Sequence, residues 1–201
     1  MAARDKLAFA LDEPTLRDAL PLLDRVAPEV GVVKVGLELF VREGPAAVRA
    51  VRERGARVFL DLKLHDIPRT VGAAAAAAAD LDVELLTVHA AGGSAMLREA
   101  VQVTQGRCRI VAITVLTSLD MPQLAALGVP ASPLDWALRL GAVALSSGCA
   151  GVVCSPAEAA AVRARHPEAF IVTPGIRPEP RVRPRQRRCW SSPSTIGTRA
   201  R

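Results

Sequence analysis

The chain has 201 residues, which is long enough for one domain with a sizeable core. Half of the residues are hydrophobic and 23% are charged, a composition that excludes wholesale disorder. The formal net charge is +6, but all 20 acidic residues lie at or before Glu179, and residues 180–201 hold seven arginines. Residues 1–179 therefore carry 19 basic and 20 acidic groups, which argues against a general nucleic-acid-binding surface.

Short strand-like runs alternate with longer helical segments along the chain. In chain order, the predicted strands are residues 6–11, 31–36, 57–62, 83–89, 109–115, 149–154 and 169–172. The predicted helices are residues 14–27, 38–54, 67–80, 94–105, 133–147 and 156–166, with a looser stretch at 117–132. Asp12 is a candidate N-cap of the first helix, and Pro14 is placed in its first turn.

Repeated strand–helix units predict an α/β fold with a parallel sheet. Residues 110–115 are apolar on both faces, as in a parallel sheet that is covered by helices. A (β/α)8 barrel of the TIM type is favoured over an open doubly wound sheet, because the spacing is even and no Gly-x-Gly-x-x-Gly follows the first strand.

The periodic pattern ends after Pro178. Residues 180–201 are rich in Arg, Pro and Ser and show no apolar period, which is typical of a disordered segment. We therefore expect an incomplete barrel domain over residues 1–178, without the eighth strand and the last helix, followed by a basic tail at 179–201.

The segment FLDLKLHDIPRT at residues 59–70 is the densest group of ionisable residues. Side chains alternate along a strand, so Asp61 and Lys63 are expected on one face at the carboxyl end, where barrels build active sites. With Asp66 in the following loop, Lys63 is predicted to lie between two carboxylates, which favour its charged form. Taken alone, an Asp-x-Lys pair is more simply interpreted as a surface ion pair.

Two further charges favour a site over a surface ion pair. Lys34 interrupts the apolar strand GVVKVG, and a lysine in a covered strand is costly unless a carboxylate pairs with it. Asp12 ends the first strand at the same edge. Adjacent barrel strands would bring Asp12, Lys34, Asp61 and Lys63 side by side, which indicates an anionic, hydroxylated substrate.

Six segments, in this order, resemble orotidine 5′-phosphate decarboxylases of the common bacterial form: FALDEP, VVKVGLELF, FLDLKLHDIPRTV, LLTVHAAGG, ITVLTS and VTPGIRP. The resemblance covers about residues 6–178. It implies a (β/α)8 barrel and a homodimer with active sites at the subunit interface. It also implies loss of CO₂ from orotidine 5′-monophosphate to give UMP in de novo pyrimidine biosynthesis, with no cofactor and no metal.

The resemblance assigns the reacting groups to the FLDLKLHDIP segment. Lys63 is implied to donate the proton to C6 of the pyrimidine, and Asp61 to face the substrate carboxylate. Asp66 and Thr70 are implied to reach into the neighbouring subunit's site. These roles rest on the resemblance. The chemistry is consistent with them, because loss of CO₂ leaves a negative charge on the pyrimidine that a nearby cation stabilises.

The resemblance also implies the substrate-binding residues. Asp12 and Lys34 would hold ribose hydroxyls, and Thr117 and Ser118 would meet the pyrimidine edge. Arg177, the arginine of the PGIR motif, would hold the phosphate.

Past PGIR the sequence departs from the family pattern. Gln186 stands nine residues after Arg177, at a spacing like that of the family's phosphate-loop glutamine. The family's final helix, its eighth strand and a Gly-Arg-Pro turn that contacts the phosphate are not matched in residues 187–201. We therefore expect weak phosphate binding, exposed edges on the first and seventh strands, and low activity.

Two alternatives remain open at this stage. One is a sugar-phosphate decarboxylase or aldolase of the same superfamily, which metal dependence would distinguish. The other is an inactive remnant whose basic tail binds RNA or acidic surfaces by charge.

A cytoplasmic location without a membrane partner is expected, because no apolar run approaches the roughly 18–20 residues of a membrane span. The four cysteines also lack zinc or disulfide-framework spacing.

Overall fold

The computed structural model describes residues 3–176. Its strands are β1 (Ala8–Leu11), β2 (Val32–Gly36), β3 (Arg57–Leu64), β4 (Leu85–His89), β5 (Arg109–Ile113), β6 (Gly151–Val153) and β7 (Phe170–Val172). Its helices are α1 (Leu16–Val26), α2 (Leu37–Glu43), α3 (Pro45–Arg52), α4 (Pro68–Asp80), α5 (Gly93–Thr104), α6 (Met121–Ala126), α7 (Pro133–Ser146) and α8 (Pro156–Arg165). Short 3₁₀ turns lie at Ala3–Lys6 and Ala90–Gly92.

The seven strands form one sheet in the order β1-β2-β3-β4-β5-β6-β7, and every neighbouring pair is parallel. Strands that are neighbours both in sequence and in space, with helices crossing between them, make up the wall of a (β/α)8 barrel. The predicted α/β fold of the TIM type is therefore confirmed, and residues 3–176 contribute seven of its strands. The predicted tail lies outside the described residues.

Three helix predictions need correction. The single helix expected at 38–54 is two helices, because Gly44 has φ +59° and Pro45 begins α3. The looser stretch at 117–132 contains α6, which a capping box begins at Asp120. Asp12 does not cap the first helix: α1 begins at Leu16, after Pro14, and the side chain of Thr15 is its N-cap.

The inner face of the barrel changes from apolar to polar along β2, β3 and β4. Four inward side chains pack into a small cluster: Val32, Phe59, Leu85 and Val111. The side chains two positions later on β2, β3 and β4 share that inner face, because strand side chains alternate. Those positions are Lys34, Asp61 and Thr87. The apolar cluster therefore fills the base of the barrel and leaves its carboxyl end to polar groups.

The larger core lies between the outer face of the sheet and the helices. Leu11, Val33, Leu60, Leu86 and Ala112 are fully buried there, each on a different strand. This layer fixes the strands against one another and so fixes the positions of the side chains at their carboxyl ends. None of the helices within residues 3–176 combines the length and apolar character needed to cross a membrane.

Candidate active site

A cavity of about 740 Å³ opens at the carboxyl ends of the strands. Apolar side chains such as Phe9, Phe59 and Val172 line part of it. Its polar lining residues lie on β2 and β3 and in the segments after β1, β5 and β7: Lys34, Asp61, Lys63, Asp12, Thr117 and Thr173. Its volume lies within the range of about 300–1,000 Å³ that is usual for small-molecule sites.

Four side chains at this edge form a chain of alternating charge. Lys34 Nζ lies 3.2 Å from Asp12 Oδ1 and 3.8 Å from Asp61 Oδ2. Lys63 Nζ lies 2.6 Å from the same Asp61 Oδ2. The predicted grouping of these four residues is therefore confirmed, and their formal charges cancel.

Burial differs along this chain of charges. The side chain of Asp61 is only 11% exposed, those of Lys34 and Lys63 are 23% and 31% exposed, and that of Asp12 is 71% exposed. Solvent screens partly buried pairs less than exposed ones. The Asp61–Lys63 pair is therefore the electrostatic centre of the site, and Asp12 is its solvent-facing end.

The strand carrying Asp61 and Lys63 is irregular at this point. Lys63 has φ +51°, in the left-handed region that only a few non-glycine residues occupy. The pairing of β3 with β4 shifts between Leu60 and Leu64, which is a β-bulge. The two side chains meet as predicted, but a distorted strand brings them together rather than simple alternation.

Thr87 completes the site and was missed from the sequence. It is fully buried on β4, donates a hydrogen bond of 2.9 Å to Asp61 Oδ1, and accepts one of 2.8 Å from the backbone N–H of Lys63. A signal for it was available: Thr87 stands two residues after the inward-facing Leu85, just as Asp61 stands two residues after the inward-facing Phe59.

Asp66 does not flank Lys63 within the described chain, so that prediction is wrong for a single subunit. Its Oδ1 instead accepts a hydrogen bond of 2.6 Å from the backbone N–H of Ile67. The cation that lies between two carboxylates is Lys34, which contacts Asp12 and Asp61.

The other predicted site residues fall into three groups. Thr117 lines the cavity. Asp66, Thr70 and Ser118 are exposed and are not part of the lining formed by residues 3–176. Arg177 lies outside the described residues, as does the second predicted phosphate ligand, Gln186.

Two histidines lie beside the ion pairs. The rings of His65 and His89 are 5.4 Å apart, and His89 is the last residue of β4. Burial lowers the pKa of His89 from its ordinary value of 6.5, and electrostatic interactions with His65 and Lys63 lower it further, whereas Asp61 raises it. Near neutral pH, His89 therefore adds no positive charge to the site.

The lysine content of the chain is unusual. Of its 26 basic residues only three are lysines, namely Lys6, Lys34 and Lys63, and the rest are arginines. Two of the three line the cavity. A guanidinium stays protonated in proteins, whereas an ammonium can give up its proton. The cavity therefore holds the type of basic group that can take part in proton transfer.

Comparison with known proteins identifies the family. The profile of the Orotidine 5'-phosphate decarboxylase / HUMPS family matches residues 5–188. A relative from Anaeromyxobacter sp. (strain K), named orotidine 5'-phosphate decarboxylase, is 52% identical over 179 residues, covering 89% of this chain and 79% of the relative. One of the same name from Moorella thermoacetica is 48% identical over 198 residues, covering 94% and 79%.

Two solved structures are also similar to the chain in fold and sequence. The crystal structure of orotidine 5'-phosphate decarboxylase from Lactobacillus acidophilus matches with a TM-score of 0.78 and 34% identity, over 85% of this chain and 81% of that one. An uncharacterized conserved protein from Geobacillus kaustophilus matches with a TM-score of 0.79 and 38% identity, over 83% and 81%. The chain belongs to the Orotidine 5'-phosphate decarboxylase / HUMPS family.

Proposed function

We propose that the protein is a carboxy-lyase that converts orotidine 5′-monophosphate to UMP and CO₂ in de novo pyrimidine biosynthesis. The observation that carries the proposal is the partly buried Asp61–Lys63 pair in the cavity, in a chain whose relatives are named for this activity. The remaining roles in the proposal follow from the chemistry that each residue offers.

Lys63 is the proton donor in this mechanism. The bond between C6 of the pyrimidine and the carboxylate breaks, CO₂ leaves, and the electron pair stays on C6. The Lys63 ammonium stabilises this negative charge and then gives its proton to C6, which yields UMP; solvent returns the proton to the lysine. Asp61, 2.6 Å from the Lys63 ammonium, orients it and faces the leaving carboxylate.

The binding roles are assigned around the same cavity. Asp12 and Lys34 hold ribose hydroxyls, and their ion pair lies at the solvent side of Asp61. Thr117, which lines the cavity, meets the pyrimidine edge together with Ser118. Family resemblance assigns the phosphate to Arg177 and Gln186. Binding of this remote group supports the chemical step.

The mechanism uses no cofactor and no metal. The charge that develops on C6 is met by an ammonium, so the chain's own residues supply both the electrostatic stabilisation and the proton. A cytoplasmic location is part of the proposal, supported by three free cysteines within the described residues, as expected in a reducing compartment.

A homodimer with shared sites is also part of the proposal. Asp66 and Thr70 are exposed around the start of α4, and the side chain of Ile67 between them is 64% exposed. Leu37 and Val41 on α2 are 46% and 80% exposed. In the proposed dimer a second copy covers these exposed apolar side chains. With a second copy bound at this surface, Asp66 and Thr70 of one subunit would reach the cavity of the other.

The test of the proposed reaction is turnover of orotidine 5′-monophosphate by the full chain, with and without EDTA. We expect UMP and CO₂ in equal amounts, no effect of EDTA, and loss of turnover in Lys63→Ala. Lys6→Ala is the matched control, because Lys6 is an exposed lysine of the N-terminal 3₁₀ turn. Metal-dependent turnover of a ketose phosphate, without turnover of orotidine 5′-monophosphate, would contradict the proposal.

The test of the shared site is complementation between two inactive variants. Lys63→Ala and Asp66→Asn are refolded together, so that a mixed dimer holds one site with both defects and one with neither. Random mixing in a twofold dimer predicts about a quarter of the parent activity. A mixture no more active than either variant alone would refute the shared site.

A further inference from the structure

We infer that Thr87 is a positioning residue, which holds Asp61 and Lys63 in their reactive geometry through its hydroxyl. The inference rests on the proposed function, because it concerns how the proton donor is placed. Thr87 is not among the residues that line the cavity, and the two hydrogen bonds of its side chain are made with Asp61 and Lys63. It therefore acts through Asp61 and Lys63.

The hydroxyl of Thr87 is used in both directions. It donates to Asp61 Oδ1 at 2.9 Å and accepts from the Lys63 backbone N–H at 2.8 Å. The residue is fully buried, so water has no access to replace either bond. A hydroxyl has one donor and two acceptor positions, and a methyl group of the same size has none.

The Thr87 hydroxyl lies opposite the bulge in β3. Leu60 pairs with Leu86 and Leu64 pairs with Val88, so the three residues 61–63 lie opposite the single residue Thr87. At this irregular point of the ladder the Thr87 side chain accepts the hydrogen bond of the Lys63 N–H. This bond supports the left-handed backbone of Lys63 at φ +51°.

The same hydroxyl selects the face of the Asp61 carboxylate. Because Thr87 occupies Oδ1, both ammonium groups meet Oδ2: Lys63 at 2.6 Å and Lys34 at 3.8 Å. Without the hydroxyl the carboxylate is free to rotate, and the Lys63 backbone loses its support. Small displacements of a reacting group have large effects on rate.

Thr87→Val tests the inference, because it keeps the branched shape and removes only the hydroxyl. Thr87→Ser restores the hydroxyl. Thr114→Val is the matched control: Thr114 is 4% exposed and its hydroxyl donates to the Val153 backbone oxygen at 2.9 Å, outside the ion pairs. The parent and these three variants are compared by kcat and KM for orotidine 5′-monophosphate, with the folded fraction measured for each.

We expect kcat of Thr87→Val to fall by about 10- to 100-fold with KM within about threefold of the parent. Thr87→Ser and Thr114→Val should keep kcat within about threefold of the parent. Parental kcat in folded Thr87→Val, or an equal loss in Thr114→Val, would overturn the inference. If Thr87→Val fails to fold, Thr87→Cys replaces it, and its weak S–H donor should give a kcat between those of the Ser variant and an inactive enzyme.

A second measurement separates this inference from the proposed function. Amide hydrogen exchange at Lys63, followed by NMR, should be faster in Thr87→Val and unchanged in Thr87→Ser and Thr114→Val. If the parent does not turn over orotidine 5′-monophosphate, the proposed function fails, and the exchange rates still test whether Thr87 holds the Lys63 backbone. Unchanged exchange in Thr87→Val would refute that role.

Discussion

Gly151 allows β6 and β7 to approach closely, and Gly151→Ala should therefore destabilise the barrel strongly. A Cβ built on Gly151 would lie 2.6 Å from the carbonyl carbon and 2.7 Å from the Cβ of Phe170, and closer still to the Phe170 carbonyl oxygen. Real Cβ atoms essentially never approach other atoms within 3.0 Å. Two of these three neighbours are backbone atoms, so no side-chain rotation relieves the overlap.

The magnitude follows from what β7 has to give up when it moves. Overpacking alone costs about 1–3 kcal/mol. Displacing β7 also weakens the hydrogen bonds from Phe170 N to the Ala150 oxygen at 3.2 Å and from Cys154 N to the Val172 oxygen at 3.1 Å. At about 1 kcal/mol for each bond, the total is about 3–5 kcal/mol. That is a large part of the about 5–15 kcal/mol that stabilises an ordinary domain.

Gly141→Ala is the matched control. Gly141 lies inside α7, and a Cβ there meets only Val152 Cγ1 at 3.9 Å, which is ordinary contact. Alanine in a helix interior is better than glycine by about 1 kcal/mol. Thermal unfolding should show Gly151→Ala melting about 6–20 °C below the parent and Gly141→Ala about 2–4 °C above it. A melting temperature of Gly151→Ala at or above that of the parent would refute the reasoning.

Two further predictions concern pH and thiol reactivity. Burial, and then electrostatic interactions with His65 and Lys63, lower the pKa of His89 from 6.5. The unfolded chain therefore binds more protons, and the free energy of unfolding falls as pH drops below about 6.5. His89→Gln should flatten this part of a pH series of denaturant titrations, and an unchanged slope would contradict the assignment. Burial raises the thiol pKa of Cys108 and Cys149 to about 12 and of Cys154 to about 11. In a Cys189→Ser background, a disulfide reagent at pH 8 should label these three thiols only as fast as the chain unfolds, and rapid labelling of the folded protein would contradict their burial.

The sheet and the charged cluster were predictable from local patterns. Apolar runs bounded by glycine and polar residues mark the strands, and parallel strands in sequence order bring their carboxyl ends to one edge. Lys34 was conspicuous because a charge inside an apolar strand needs a partner, and the structure gives it two. Alternation along a strand predicts that Asp61 and Lys63 share a face, although it is a bulge that produces their contact.

The features that were missed depend on contacts between segments distant in sequence. Thr87 reads as an ordinary β-branched residue of a buried strand, and its role arises from the bulge on the neighbouring strand. Helical periodicity runs through Gly44, and only the positive φ of that residue divides α2 from α3. Asp66 was expected beside Lys63 because the two are close in sequence, but the chain after β3 leads it away from the cavity.

The central claim is that Lys63 supplies a proton as well as a positive charge, and kcat of Lys63→Arg tests it most directly. Arginine keeps the charge beside Asp61 but does not release a proton at neutral pH. If proton donation is essential, kcat for orotidine 5′-monophosphate should fall by about 10²–10⁴-fold, as is usual when a general acid is lost. A Lys63→Arg enzyme that retains kcat within about tenfold of the parent would contradict the account, because charge alone would then suffice.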